Sequence, residues 1–426
     1  MTEAQALQMI HGLPRFHRAP GLERIRRLLR AFGDPQNKTR FIHVAGTNGK
    51  GSTCTMTAAV LRAAGYRTGL YISPYILNFR ERMQINGEMI PPETLAALAD
   101  QIRPEVERMT ADGEPPAEFE LVTAIAMRWF ADEQCDVVVL EVGLGGRLDA
   151  TNAIEAPLAS VICTIDFDHT ELLGNTLAEI AWEKSGIIKQ NCPVIVYPQP
   201  QEVRTVIEKT AAERHAPCVF ADMEQTRVLQ TSLHGTDFTF NDKQYHIALL
   251  GAHQVRNAVT VLTVFEVLRA NGTLAISDEQ LQVGLANASF PARLEILGKH
   301  PTVLLDGAHN PSGVDSLCAA VRQYLPGGPR VAIIGMLRDK DYEAAVRPLA
   351  GLFSRILTVT PDNPRALPAE ELASVLRRMG GRASACTDVK AAVREARAMA
   401  GADGAVVVCG SLYLAAQLRP LLLEEK

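Results

Sequence analysis

A chain of 426 residues, 47% hydrophobic and 21% charged, is long enough for two cores and too apolar to remain disordered. Its formal net charge of −5 excludes a general nucleic-acid binder, which needs a basic face to displace counterions. Its 8 cysteines are scattered, with no Cys-x-x-Cys pair and no zinc spacing. There is no basic leader ahead of an apolar stretch, and no run of the ~20 apolar residues that a membrane span needs. The expectation is a soluble, cytoplasmic protein working as a monomer, with neither nucleic acid nor membrane as a partner.

In chain order, the first clear pattern is an amphipathic helix. Leu22, Ile25, Leu28 and Leu29 form its apolar stripe, and Arg24, Arg26, Arg27 and Arg30 its solvated face. A predicted strand over 41–45 then runs into Gly46-Thr47-Asn48-Gly49-Lys50-Gly51-Ser52-Thr53 and a helix over 51–64, closed by Gly65. Strand, glycine-rich turn and helix N-terminus together make an anion cradle. The backbone N–H groups approach phosphate oxygens, Lys50 supplies a point charge, and a hydroxyl of Ser52 or Thr53 faces magnesium. The sequence departs from G-x-x-x-x-G-K-[ST] at two places: Val44 stands where the first glycine belongs, and Gly51 separates Lys50 from Ser52. The alternative is an ordinary glycine-rich turn with a solvated lysine.

Further apolar runs over 68–72, 136–142, 158–165 and 193–197 read as buried strands, with a helix over 120–133 between two of them. Strands alternating with helices imply an α/β fold with a parallel sheet covered on both faces. The stretch 226–247 differs: His234-Gly235-Thr236 and Asn241-Asp242 read as hairpin turns of a small antiparallel insertion. A second α/β series follows with strands at 303–305, 331–334, 356–359 and 405–409. The break near Ser289-Phe290-Pro291-Ala292-Arg293 divides the chain into domains 1–292 and 293–426.

Polar groups just past apolar strands mark candidate sites, because ligands of open α/β sheets gather at the carboxyl ends of strands. Glu141 follows four apolar residues. Buried there, its carboxylate needs a cation, either magnesium at nucleotide phosphates or a basic side chain. His169, after Asp166-Phe167-Asp168, is open to three roles: second metal ligand, phosphate sensor or structural turn residue. Asp306 and His309 lie past the 303–305 run, where Asn310-Pro311 closes a turn. They form either a site facing a cleft between the domains or a strand-end turn capped by Asp306. Lys184, in Trp182-Glu183-Lys184-Ser185-Gly186, reads by spacing alone as a solvated helix-end lysine.

Taken together, the Gly46–Ser52 loop, residues 141–152, Asp168-His169, residues 183–189, Phe290-Pro291-Ala292-Arg293, Asp306-Gly307-Ala308-His309-Asn310-Pro311 and Gly410-Ser411 resemble the folylpolyglutamate synthases. That family includes bifunctional dihydrofolate synthases and is similar to the Mur ligases. The resemblance spans nearly the whole chain. It implies an N-terminal P-loop domain and a C-terminal Rossmann-like domain that together use ATP. By the resemblance, Gly49, Lys50, Gly51 and Ser52 bind the phosphates, and Asn257, Arg293 and Asp306 complete the ATP site. Ser73, Glu141 and His169 match ligands of two Mg2+ ions, and Lys184 matches a lysine carried as a carbamate. His309 and Ser411 match segments that receive glutamate. Ala117, Glu118, Phe119 and Glu120, with Leu148, Asp149 and Ala150, match segments that hold dihydropteroate. The pterin segment that reads Asp-Leu-Gly-Leu in some members is Ala19-Pro20-Gly21-Leu22 here, without the acid. The resemblance therefore carries polyglutamylation of folate further than dihydrofolate synthesis.

The implied chemistry is phosphorylation of a substrate carboxylate followed by attack of the glutamate amine. The chain shows no Ser-His-Asp or Cys-His arrangement that would supply a protein nucleophile. Two other readings remain. A Mur-type ligase of cell-wall precursors would carry a further domain ahead of the glycine-rich loop, and the short stretch there does not hold one. A nucleotide switch would carry an Asn-Lys-x-Asp segment, and Asn37-Lys38-Thr39-Arg40 is not one.

Overall fold

The computed structural model describes residues 1–15, 21–325, 327–339 and 341–424; Ala19 and Pro20 lie outside them. The chain divides into two compact units. One comprises Met1–Arg227, Thr239–His246 and Arg256–Ala288, the other Val228–Phe238, Ile247–Val255 and Ser289–Lys426.

The first unit is built on eight strands: β1 (Phe41–Ala45), β2 (Thr68–Tyr71), β3 (Met83–Ile85), β4 (Glu88–Met89), β5 (Val137–Glu141), β6 (Ala159–Ile162), β7 (Val194–Val196) and β8 (Cys218–Phe220). Their order is β4-β3-β2-β5-β1-β6-β7-β8. From β2 to β8 every neighbouring pair is parallel; β3 and β4 join the edge antiparallel. Every residue of β1, β2, β5, β6 and β7 is buried. This is why these strands read as unbroken apolar runs: helices on both faces leave no side of the pleat to water. The register sets Val44 of β1 beside Glu141 of β5 and Val161 of β6, so the carboxyl ends of the central strands come out level.

The amphipathic helix spans Glu23–Ala31, with Ile25, Leu28 and Leu29 fully buried. On its arginine face Arg26 and Arg30 are exposed, as the spacing suggests, whereas Arg24 and Arg27 are partly covered. Arg24 Nε donates to Glu120 at 3.1 Å, and Arg27 donates to Glu105 at 2.5 Å and Asp112 at 2.8 Å. The partners of these two arginines, on or at the end of the Pro92–Ala111 and Glu118–Asp132 helices, lie far away in sequence. The second of these helices starts two residues earlier than the apolar pattern indicates, because the Glu120 carboxylate accepts the Ala117 N–H at 2.7 Å and closes the first turn.

Between the two α/β series lie β9 (Thr226–Ser232), β10 (Gly235–Phe240) and β11 (Lys243–Ile247), a three-stranded sheet ordered β11-β10-β9. Asn241 and Asp242 both have positive φ, 48° and 60°, which suits a two-residue hairpin turn.

The second unit carries β12 (Glu295–Lys299), β13 (Thr302–Leu305), β14 (Arg330–Ile334), β15 (Arg355–Thr358), β16 (Ala383–Ala385) and β17 (Ala405–Cys409), ordered β12-β13-β17-β14-β15-β16. Only β12 runs antiparallel. The short β3, β4, β8 and β16 have no long apolar run of their own and are not legible by patterning. Among the described residues no helix is long and apolar enough to cross a membrane.

Candidate active site

At the carboxyl edge of the first sheet, the turn 46–49 links β1 to the Lys50–Ala63 helix. The turn is tied to the strand end of β6. Thr47 N donates to the Thr164 carbonyl at 2.7 Å, and its hydroxyl donates to the Asp166 carbonyl at 3.0 Å while accepting the Asp166 N–H at 3.1 Å. Gly49 is the N-cap, at φ +85°, where a side chain is strained. A Cβ there would also sit 2.9 Å from Asn257 Oδ1. Asn257, 2% exposed on the Ala252–Ala270 helix, therefore lies against the turn, and Ser52 is buried one residue past Gly51.

Lys50 folds back over this turn, its Nζ 2.9 Å from the Gly46 carbonyl and 3.1 Å from that of Thr47. A second ammonium reaches the same oxygen: Lys184 Nζ donates to the Gly46 carbonyl at 3.0 Å. Lys184 is 4% exposed and ends the Leu177–Lys184 helix, so the solvated reading is corrected. Ile180 and Ala181, four and three residues before it, are buried on the same helix, and helical spacing puts Lys184 in their stripe. Burial, and next the charge of Lys50, lower its pKa to about 7, with Asp168 and Asp149 pulling the other way. This disfavours the ammonium by roughly 5 kcal/mol, so a neutral amine is accessible at ordinary pH. The turn after Lys184 is fixed by close packing: a Cβ on Gly186 would lie 2.4 Å from Arg147 Cα. Asn152 Nδ2 donates to the carbonyls of Arg147 at 2.9 Å and Gly186 at 3.1 Å.

Glu141, the last residue of β5, is 3% exposed, and its Oε2 accepts the Ser73 N–H at 3.0 Å. The expected metal-binding positions Ser73 and Glu141 thus adjoin on neighbouring strand ends. His169 is half-exposed, at φ 49°, with Nε2 3.8 Å from Asp168 Oδ1. Among the described residues no three His, Cys, Asp or Glu side chains gather as a metal-holding group.

On the expected pterin side, Glu118 bears His11 Nδ1 at 3.4 Å and Arg82 Nη2 at 3.9 Å, and Glu120 takes Arg24. The Phe119 ring packs against Tyr71 at 5.9 Å between centroids, tilted by 51°, and a Cβ on Gly143 would lie 2.6 Å from it. Leu148 is exposed, Ala150 buried. Asp149 is buried and organises its own loop, accepting Leu144 N at 2.9 Å, Thr151 N at 3.0 Å and the Thr151 hydroxyl at 2.5 Å.

In the second unit Asp306 leaves the end of β13 and is buried. It accepts Leu294 N and Ala308 N, both at 2.8 Å. Burial pushes its pKa up, and Arg293 is the main influence pulling it down. His309 Nδ1 lies 2.9 Å from the Gly307 carbonyl. Asn310 caps the Pro311–Tyr324 helix through Gly313 N. Ser411 follows β17, the parallel neighbour of β13, and its Oγ accepts Tyr413 N at 3.1 Å. Sequence reasoning missed Thr47, His43 and Thr151. A histidine centred in the apolar run Phe41-Ile42-His43-Val44-Ala45 was the available signal for one of them.

The Mur ligase middle domain matches residues 117–265, and the Mur ligase glutamate ligase domain matches residues 292–412. A Bacillus subtilis protein named dihydrofolate synthase/folylpolyglutamate synthase is 37% identical over 98% of this chain and 98% of its own. The crystal structure of folylpolyglutamate synthase from Thermotoga maritima superposes with a TM-score of 0.87 at 34% identity, covering 100% of this chain and 97% of that one. An Escherichia coli protein solved in complex with DHPP and ADP gives 0.87 at 31% identity, covering 100% and 98%. With its glycine-rich turn, buried lysine and two α/β units, the chain belongs to the folylpolyglutamate synthase/dihydrofolate synthase family of ligases.

Proposed function

We propose that the chain adds L-glutamate to the γ-carboxylate of a tetrahydrofolate at the expense of ATP, through an acyl phosphate, and that dihydropteroate is a second acceptor. It is an ATP-dependent acid–amino-acid ligase by family. The observation that carries the reading is the meeting of Lys50 and Lys184 at one carbonyl of the glycine-rich turn, beside a helix N-terminus and the buried Glu141. Such a place favours a polyanion: the Lys50 ammonium and the N–H dipoles of a helix N-terminus already face it, so little reorganisation is needed when phosphate charge shifts.

The turn 46–49 and the start of the Lys50–Ala63 helix hold the triphosphate, with Asn257 setting the turn from behind. The folate carboxylate oxygen attacks the γ-phosphorus, ADP leaves, and Lys50 swings from its backbone partners to the phosphoryl oxygens. The amine of glutamate then attacks the acyl carbon and inorganic phosphate departs with the bridging oxygen. No protein nucleophile takes part, so positioning and electrostatics carry the rate. Arg293 and Asp306 are proposed to complete the nucleotide site, and His309 and Ser411 to receive glutamate. Ala117, Glu118, Phe119, Glu120, Leu148, Asp149 and Ala150 are proposed to face the pterin.

The residues fit magnesium in chemistry: Glu141 is a buried carboxylate at a strand end, and Ser73 adjoins it, both oxygen donors of the kind a hard cation takes. His169 is proposed as a third ligand. Lys184 supplies an oxygen ligand for the second of two ions if its neutral amine adds to CO2, releasing a proton and leaving a carbamate. Magnesium, when bound, neutralises phosphate charge. The 8 cysteines, all unpaired, support a reducing, cytoplasmic setting.

The test offers tetrahydrofolate and dihydropteroate separately, with ATP and glutamate, and follows phosphate release. Glutamate-dependent release with tetrahydrofolate is expected. Hydrolysis indifferent to both acceptors would overturn the reading, and release with dihydropteroate alone would overturn the polyglutamylation half of it.

A further inference from the structure

His43 lies in the middle of β1, fully buried, between Leu140 of β5 and Ser160 of β6. A polar side chain in the centre of a parallel sheet is costly unless it bonds to something. Its Nε2 lies 2.9 Å from the Thr151 hydroxyl, which is itself 2.5 Å from Asp149 Oδ1. Its Nδ1, equally buried, has no hydrogen-bond partner among the described residues.

These contacts fix the protons. Burial raises the Asp149 pKa, and the hydrogen bonds from the Thr151 hydroxyl and the Leu144 and Thr151 N–H groups act to lower it. As the carboxylate these donors favour, Asp149 only accepts, so the Thr151 O–H donates to it and the Thr151 oxygen accepts from His43. His43 is therefore the Nε2–H tautomer, and the unpartnered Nδ1 is a bare lone pair. The other tautomer would leave a buried N–H without an acceptor and would claim the Thr151 proton for the ring, stripping Asp149 of its shortest hydrogen bond. Burial, with a smaller push from Lys189, lowers the imidazole to about 3, so the ring is neutral at working pH.

We infer that His43 is a positioning residue for the substrate-facing carboxylate Asp149: its Nε2–H orients the Thr151 hydroxyl, which locks the Asp149 rotamer and with it the loop 144–151. The inference rests on the proposal that Asp149 faces the pterin, and it adds a residue of the strand that leads into the phosphate loop. One side chain thus links the strand holding the triphosphate turn to the loop holding the folate. Gln places its terminal amide N–H where the imidazole Nε2–H lies, whereas Leu of similar volume donates nothing.

Two measurements on the full-length protein test this. In 15N NMR of histidine-labelled protein, His43 should show the Nε2-protonated tautomer; the Nδ1-protonated tautomer overturns the relay. In steady-state kinetics, His43→Leu and Thr151→Val should each raise the KM for tetrahydrofolate roughly tenfold, as loss of one buried hydrogen bond does, with the KM for ATP unchanged. The double variant should be no worse than either single one, because both break the same relay. His43→Gln should restore the KM to within about threefold. A folate KM unmoved in His43→Leu and Thr151→Val but raised in Asp149→Asn overturns the role of His43 and leaves the placement of Asp149 standing. A folate KM unmoved in Asp149→Asn sinks that placement itself. Equal rises in both KM values, or no rescue by Gln, assign His43 to general sheet stability and overturn the inference.

Discussion

The two sheets end in the same way and do different work. In each, an apolar parallel strand delivers a buried acid to the carboxyl edge: Glu141 after β5, Asp306 after β13. At the first edge Glu141 accepts the Ser73 N–H, and the turn after the neighbouring strand carries a helix N-terminus and the lysines Lys50 and Lys184. At the second, both Asp306 oxygens accept backbone N–H groups, Leu294 N and Ala308 N, and the residues after it cap a helix. Lysines hydrogen-bonded to backbone carbonyls can swing to a ligand during a reaction. An acid whose two oxygens each hold a backbone N–H also ties the chain together, with Arg293 adding charge beside it. A strand-end acid is therefore not a site by itself; what partners it decides its use.

Substitutions at the first edge should accordingly cost rate, and those at the second should cost stability first. Lys50→Ala should lower turnover by at least ~100-fold, the scale of losing a preorganised donor to a charged transition state, with little change in the thermal midpoint. Near-normal, glutamate-dependent ADP release in that variant would break the comparison at its strongest point.

Lys184→Ala should lose somewhat less, roughly 30-fold or more, and small carboxylates should restore part of it. The amine must be neutral to take CO2, so the competent fraction rises as pH passes upward through about 7. At equal dissolved CO2, activity lost in CO2-depleted buffer should therefore recover faster at pH 8 than at pH 6 if Lys184 is carbamylated as proposed. Recovery independent of pH would contradict it. The same lysine has a stability signature. Unfolded, it keeps its proton to about 10.5, and folded to about 7, so stability rises with pH across that window; denaturant titrations of Lys184→Met should show a flatter dependence.

Asp306→Ala leaves two buried N–H groups without an acceptor and should destabilise the second unit by about 2–4 kcal/mol, read by urea unfolding. A loss of ATP affinity with unaltered stability would show the second edge to be as chemical as the first. Gly49→Ala, strained at φ +85° and pressed on Asn257, should raise the KM for ATP about tenfold while leaving the folate KM in place.

The strands and the glycine-rich turn after β1 were legible because both sheets are buried on both faces, so apolar runs marked β1, β5, β14 and β17 within a residue of their observed ends. Lys184 was legible in principle: its distance from Ile180 and Ala181 places it on a buried stripe, yet a helix-end lysine is ordinarily wet and the spacing went unused. The arginines of the Glu23–Ala31 helix, and the His43–Thr151–Asp149 chain, were not legible. Their partners stand roughly eighty to a hundred residues away, and only the folded register brings them together.

The most direct measurement of the phosphoryl-then-acyl sequence uses tetrahydrofolate carrying 18O in both γ-carboxylate oxygens, with ATP and glutamate. One 18O should appear in each inorganic phosphate released per amide formed, carried over by the bridging oxygen of the acyl phosphate. Phosphate free of the label, with amide product formed at the normal rate, would contradict it.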